Sequence, residues 1–216
     1  MEKKKDIPVK IIYRREPFLL SIVMLVPIIL IWILFIDKNH YWDDQLLAQT
    51  GQLIHPDLTP WIKSITALGN HAFLIPAFIL LIFVLLLLRE KKEALQTLLI
   101  ALSSLGLMSL FKNLFQRDRP DHPLVNGITN YSFPSGHAMM SIAFYGLLIW
   151  LLGRHLRQHK IQRSLVIGFL ILLILLIGFS RIYLRVHYPS DVIAGYSFGI
   201  GWLWLSLRIT SRIRVN

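Results

Sequence analysis

A chain of 216 residues, 55% of them hydrophobic and only 16% charged, with a mean hydropathy of +0.57, is too apolar for an ordinary soluble domain. The formal charge of +11 does not mark a nucleic-acid binder, because the basic residues flank the apolar blocks and form no single face. With no cysteine, disulfides, thiolate metal sites and cysteine nucleophiles are excluded.

The apolar blocks are long enough to cross a bilayer. They predict an all-α, six-transmembrane-helix bundle forming one domain over residues 1–216, with spans at about 18–36, 72–88, 94–111, 138–152, 165–179 and 192–207. A basic tail comes first. The block from Phe18 to Ile36 lacks a small-residue cleavage site and reads as a retained span, kinked at Pro27. Asp37 to His71 is a long polar and aromatic connection. Tyr41, Trp42 and Trp61 suit the headgroup layer, and Pro60 to Leu68 fits a short interfacial helix. In the third span Ser103, Ser104, Gly106 and Ser109 give a small-residue packing side. Gly195, Ser197, Gly199 and Gly201 do the same in the sixth, where Trp202 and Trp204 read as interfacial belt.

Six spans put both termini on one side. The N-terminal tail, the 89–93 turn, the 153–164 turn and the C-terminal tail hold 6, 3, 4 and 3 Lys or Arg, which is 16 of the 23. Cytoplasmic loops carry that excess, so both termini are expected in the cytoplasm. The remaining cations are Lys38, Lys63, Lys112, Arg117, Arg119, Arg181 and Arg185. Five of these seven fall in the loops 112–137 and 181–190, against the sorting rule, which points to chemistry.

Three clusters converge on that outer side. Lys112 ends the third span and Arg119 follows about two helical turns later, so both can point into one cavity. Phe133 to His137 reads FPSGH. Ser135 is a helix N-cap, the N–H groups that follow bind anions, Gly136 allows close backbone approach, and His137 sits where it can protonate a leaving oxygen. The stretch Ser180 to Asp191 carries Arg181, a planar fork for phosphate oxygens, and His187 four residues before Asp191. A carboxylate beside an imidazole fixes its tautomer. Three cations match a dianionic phosphate with no metal, whereas a metal site calls for more carboxylates. Asp118, Asp121 and His122 lie among arginines and read as solvated loop or ion pairs. Arg185 reads as a headgroup contact. Asn70 and His71 open the second span on the same side, with His71 expected to be simply interfacial.

The pattern Lys112-x6-Arg119-Pro120, then Pro134-Ser135-Gly136-His137, then Ser180-Arg181-x5-His187-x3-Asp191 resembles the three-part signature of the type 2 phosphatidic acid phosphatase (PAP2) superfamily, in order and spacing. The resemblance implies a metal-independent membrane phosphatase that uses no cofactor. It implies that His187 attacks phosphorus to form a phosphohistidine, Asp191 orients His187, and His137 protonates the leaving group. It implies that Lys112, Arg119, Ser135, Gly136 and Arg181 hold the phosphoryl oxygens. The expected substrate is a lipid phosphate or diphosphate, such as undecaprenyl diphosphate, phosphatidylglycerol phosphate or phosphatidic acid. The expected place is the cell membrane with the site at its outer, periplasmic or extracellular, face. No obligate protein partner and no nucleic acid are implied. The alternatives are a lipid A phosphatase or lipid phosphotransferase with the same site, or a non-catalytic lipid-binding or transport protein. The last would need cations along a path through the spans, and the span interiors hold no Lys or Arg.

Overall fold

The computed structural model describes residues 16–155 and 160–211, which are helical with no strand among them. Much of the basic N-terminal tail and the last residues of the C-terminal tail lie outside the described residues. Helix α1 (Glu16–Ile31) runs into a π-helical turn at Trp32–Ile36, and α2 (Tyr41–Gly51) and α3 (Thr59–Ala67) follow. The remaining elements are α4 (His71–Leu87), α5 (Lys91–Phe115), α6 (Gly136–Ser141), α7 (Leu147–His155), α8 (Lys160–Tyr183) and α9 (Pro189–Ser211). A second π-helical turn, Ile142–Gly146, joins α6 to α7 as one continuous rod.

Five stretches are long and apolar enough to cross a membrane: 59–87, 91–115, 136–154, 160–183 and 189–211. The segment 20–36 joins α2 through a 100° bend and makes a sixth if the bent pair counts as one span. Lipid-side positions such as Leu80, Phe83, Leu87 and Leu172 are exposed and apolar, as a bilayer-facing surface requires.

The rod 136–154 is the hub. Of its span 61% is buried, against 39% or less for the other four. Met139, Met140, Phe144 and Leu147 on it pack with Leu74, Ile100 and Ile177 into the main core. Helix α9 lies directly against it because two of its residues have no side chain. A Cβ on Gly195 would stand 2.6 Å from the carbonyl oxygen of Ser135, and one on Gly199 would stand 2.8 Å from Cβ of Ile142. A second, aromatic cluster of Phe35, Phe115, Phe133 and Phe198 ties the π-turn after α1 to α5, the loop before α6 and α9.

The structure departs from the sequence reading in four places. The 37–71 connection is not a loop: it contains α2 as well as the expected short helix, here Thr59–Ala67. Helices α5 and α8 run beyond their apolar blocks and carry Lys112 and Arg181 in their last turns. Only Ser103 and Ser104 of the expected small-residue side of α5 pack. Ser104 is buried, but Gly106 and Ser109 are exposed, and nothing lies within 4 Å of a Cβ added at Gly106. Trp202 is not belt. Its indole N–H donates to Ser103 Oγ at 3.0 Å and joins α9 to α5, because a half-buried N–H takes a nearby acceptor.

Candidate active site

Three helix ends and one loop meet at one end of the bundle. Helix α5 stops where Gln116 adopts a left-handed conformation (φ 46°), its N–H returning to the carbonyl of Lys112. Arg119 therefore reaches the site from a loop, not from a second helical turn. Ser135 caps α6 as expected, accepting from the Ala138 N–H at 3.5 Å. Pro189 opens α9, and Asp191 in its first turn reaches back to accept from the Tyr188 N–H at 2.9 Å, half of a capping box.

A cavity of about 570 Å³ lies between these ends. Lys112, Arg119, Gly136, His137, Arg181 and His187 all line it. Ser135 and Asp191 are fully buried and stand behind the wall. Ser135 donates its backbone N–H to the Asp191 carbonyl at 2.9 Å and so fastens the two motifs together. Asn70 and His71 also line the cavity, so His71 faces the site and not merely the interface. Both residues sit at the α3–α4 turn, Asn70 as the N-cap of α4 and His71 as its first residue. In that turn, a Cβ on Gly69 would come within 3.1 Å of the His137 ring, so the turn braces this histidine.

The cavity cations are held by neutral partners. Lys112 Nζ donates to the Tyr131 carbonyl. Arg119 donates to the Asn130 carbonyl at 2.8 Å, to Asn130 Oδ1 at 2.6 Å, to the Tyr131 carbonyl at 3.2 Å and to the Val186 carbonyl. Arg181 donates to Thr66 Oγ1 at 2.7 Å, and its buried Nε has no acceptor. Among the described residues no carboxylate forms an ion pair with any of the three. Burial lowers the pKa of Arg119 against the pull of Asp191, yet an arginine stays charged throughout the working pH range.

His187 sits with Nδ1 3.4 Å from Asp191 Oδ2 and Nε2 3.3 Å from the Arg119 guanidinium. A donor beside Nε2 and a carboxylate beside Nδ1 select the neutral tautomer with the proton on Nδ1. Burial pushes the His187 pKa down to about 3. Asp191 opposes the shift, and Arg119 and Lys112 add to it. The Nε2 lone pair thus faces the cavity side, toward Arg119.

Asp191 also accepts from Ser132 Oγ, and its other oxygen accepts from Arg117 at 2.6 Å. Arg117, Ser132, Asn130 and Thr66 are contributors that the sequence reading did not assign. An excess of outer-side cations was the one signal for Arg117, and nothing marked the other three. Asp118, Asp121 and His122 are exposed, as expected of loop residues. Arg185 donates to the Asp121 carbonyl at 3.2 Å instead of pointing away as a free headgroup contact.

The arrangement can hold a phosphoryl group against three cations and the start of a helix, with a neutral imidazole nitrogen at its floor and a second imidazole in the wall. The sequence model described as "PAP2 superfamily" matches residues 93–214. The chain is 32% identical over 162 residues to phosphatidylglycerophosphatase B of Bacillus subtilis, covering 73% of this chain and 78% of that one. It is 33% identical over 165 residues to a lipid A 1-phosphatase of Rhizobium etli, covering 65% and 66% respectively. The crystal structure of a transmembrane PAP2-type phosphatidylglycerolphosphate phosphatase from Bacillus subtilis superposes with a TM-score of 0.82 at 26% identity, covering 90% of this chain and 97% of that one.

Proposed function

The chain belongs to the PAP2 superfamily and is a phosphatase, and from that premise we propose that it hydrolyses a lipid phosphate or diphosphate through a phosphohistidine on His187. The observation that carries the reading is the juxtaposition of His187 Nε2 with Arg119 on the cavity side and of Nδ1 with Asp191 behind it.

In the first step the Nε2 lone pair attacks phosphorus and the bond to the leaving oxygen breaks. His137 gives that oxygen a proton, and a lipid alcohol, or a lipid monophosphate from a diphosphate, departs. Nδ1 keeps its proton, so the phosphorylated ring is cationic and Asp191 stabilises it. In the second step His137 takes a proton from water, the water oxygen attacks phosphorus, and the P–N bond breaks to release inorganic phosphate. Lys112, Arg119 and Arg181, with Ser135 and the Gly136 N–H at the start of α6, hold the equatorial oxygens, where phosphoryl transfer concentrates its charge. These three cations take the neutralising place a metal would fill, so the reaction is expected to need none.

A lipid substrate is supported by the position of the cavity, at the end of apolar helices that would leave the acyl or prenyl tail in the bilayer. The relatives are named for glycerophospholipid, lipid A and undecaprenyl-diphosphate substrates. Glycerol-lipid phosphates and isoprenoid diphosphates are therefore the substrates to compare. The excess of basic residues that the sequence puts in its two tails and in the 89–93 and 153–164 turns supports cytoplasmic termini and a site at the outer face of the cell membrane.

The test uses detergent-solubilised full-length protein without added metal, assayed on phosphatidylglycerol phosphate, phosphatidic acid and undecaprenyl diphosphate. Phosphate release from at least one, a phosphoenzyme trapped by acid quench, and neither in His187→Ala are the expected results. Equal release by wild type and His187→Ala overturns the reading.

A further inference from the structure

Behind the cavity wall lies a buried charge cluster of which the mechanism above uses only Asp191. Arg117 is 8% exposed and Asp43, on α2, is 4% exposed. The Arg117 guanidinium donates to Asp191 Oδ1 at 2.6 Å, to Ser190 Oγ at 2.8 Å and to Asp43 Oδ2 at 2.7 Å, with His40 Nδ1 at 3.4 Å. It lies 4.1 Å from the centre of the Tyr188 ring. Asp43 accepts in addition from the Ser190 N–H at 2.9 Å and from Ser190 Oγ. Burial works against the Arg117 charge, but Asp191 and Asp43 outweigh it and raise its pKa.

We propose that Asp43 and Arg117 are positioning residues for the reaction at His187, acting through Asp191. The inference deepens the phosphohistidine reading and rests on it. Two observations carry it. First, Asp191 Oδ2 has three donors, Ser132, the Tyr188 N–H and His187, whereas Oδ1 has Arg117 alone among the described residues. Arg117 therefore sets the rotation of the carboxylate and with it the aim of the His187 ring. Second, the cluster holds two carboxylates and one guanidinium, so it carries one net negative charge beside a neutral imidazole. That charge already feels Arg119 across the ring, and it gains a nearer counterpart when His187 becomes a phosphoimidazolium. An interaction that strengthens only as the covalent step proceeds raises kcat and leaves KM alone. Asp43 supplies the second negative charge from a helix that precedes residues 93–214, the region the family sequence model matches.

The experiment compares Asp43→Asn, Asp43→Glu and Arg117→Lys with wild type and His187→Ala in full-length protein. Steady-state kinetics on phosphatidic acid micelles and the rate of phosphoenzyme formation are measured, with the thermal midpoint recorded for each variant. Asp43→Asn keeps the shape and removes the charge. It is expected to lower kcat and phosphoenzyme formation roughly 10²-fold, the scale of a small misplacement, while KM stays near the wild-type value. Asp43→Glu is expected to recover part of the loss, and Arg117→Lys, which keeps charge but not the fork, to lose about as much as Asp43→Asn. Wild-type kcat in Asp43→Asn overturns the proposal, as does a loss carried by KM, or a loss shared equally by Asn and Glu. Failure of both Asp43→Asn and Arg117→Lys to fold also overturns it, by assigning the pair to the scaffold alone. Activity in wild type and silence in His187→Ala keep the phosphohistidine reading standing in each of these cases. Silence in wild type strikes that reading itself.

Discussion

Arg119 and Arg117 are two residues apart in sequence and stand on opposite sides of one wall. Arg119 faces the cavity and bonds to carbonyls, an amide oxygen and His187. Arg117 faces the interior and bonds to two carboxylates. The same side chain serves two ends according to what neutralises it. A guanidinium held by carbonyl dipoles is fixed in place but keeps its charge for an incoming anion. A guanidinium between carboxylates has no charge to offer and serves as a joint. Lys112 and Arg181 belong with Arg119 by this criterion.

The sharpest way to break the contrast is to remove each charge in turn. Arg119→Gln is expected to lower kcat/KM by about 10²–10³-fold, the usual cost of one donor to a developing oxyanion, with no loss of thermal stability, because it relieves repulsion among three cations. Arg117→Gln leaves two buried carboxylates without the cation between them and is expected to lose about 3–5 kcal/mol of stability. Unfolding midpoints and kinetics on the two variants separate the roles. If Arg119→Gln unfolds the protein and Arg117→Gln does not, the contrast is wrong.

A second test sharpens it from the ligand side. An unneutralised cationic cavity is stabilised by an anion that binds only the folded form. Inorganic phosphate at about 100 times its dissociation constant should add about 2.7 kcal/mol. The shift in thermal midpoint should shrink in Arg181→Gln and persist in Tyr188→Phe, which stays on the interior side.

The smallest expected effect concerns pH. The folded-state pKa of His187 lies below its unfolded value of 6.5. Below that pH the unfolded chain takes up a proton that the folded protein refuses. Stability is therefore full above pH 6.5 and falls as pH drops toward about 3. Thermal midpoints at pH 7 and pH 4.5 should differ by about 5–10 °C less in His187→Asn than in wild type.

How much of this was legible beforehand depended on how each residue was marked. Lys112, His137, Arg181, His187 and Asp191 sit where apolar blocks begin or end, and charge at such a boundary stands out. Their fixed spacing did the rest. The helices were readable because their apolar runs are long; their ends were not, since α5 and α8 continue through polar residues once the bundle packs around them. Asp43 lay in a polar, aromatic segment with no apolar run to announce α2. Arg117 sits in a loop without periodicity, so nothing local says which side of the wall it faces. Trp202 looked like interfacial belt because a sequence does not show that Ser103 waits across the helix pair.

The 100° bend between residues 36 and 41 has a practical consequence for anyone recombining these enzymes. It delivers Asp43 to Arg117, 74 positions further along the chain. A chimera that borrows its opening helices from a relative keeps Arg117 paired only if the donor supplies a carboxylate at the position of Asp43. Such grafts should succeed when residues 37–51 and 116–135 travel as one cassette, and fail when either is exchanged alone for a segment without that pairing residue.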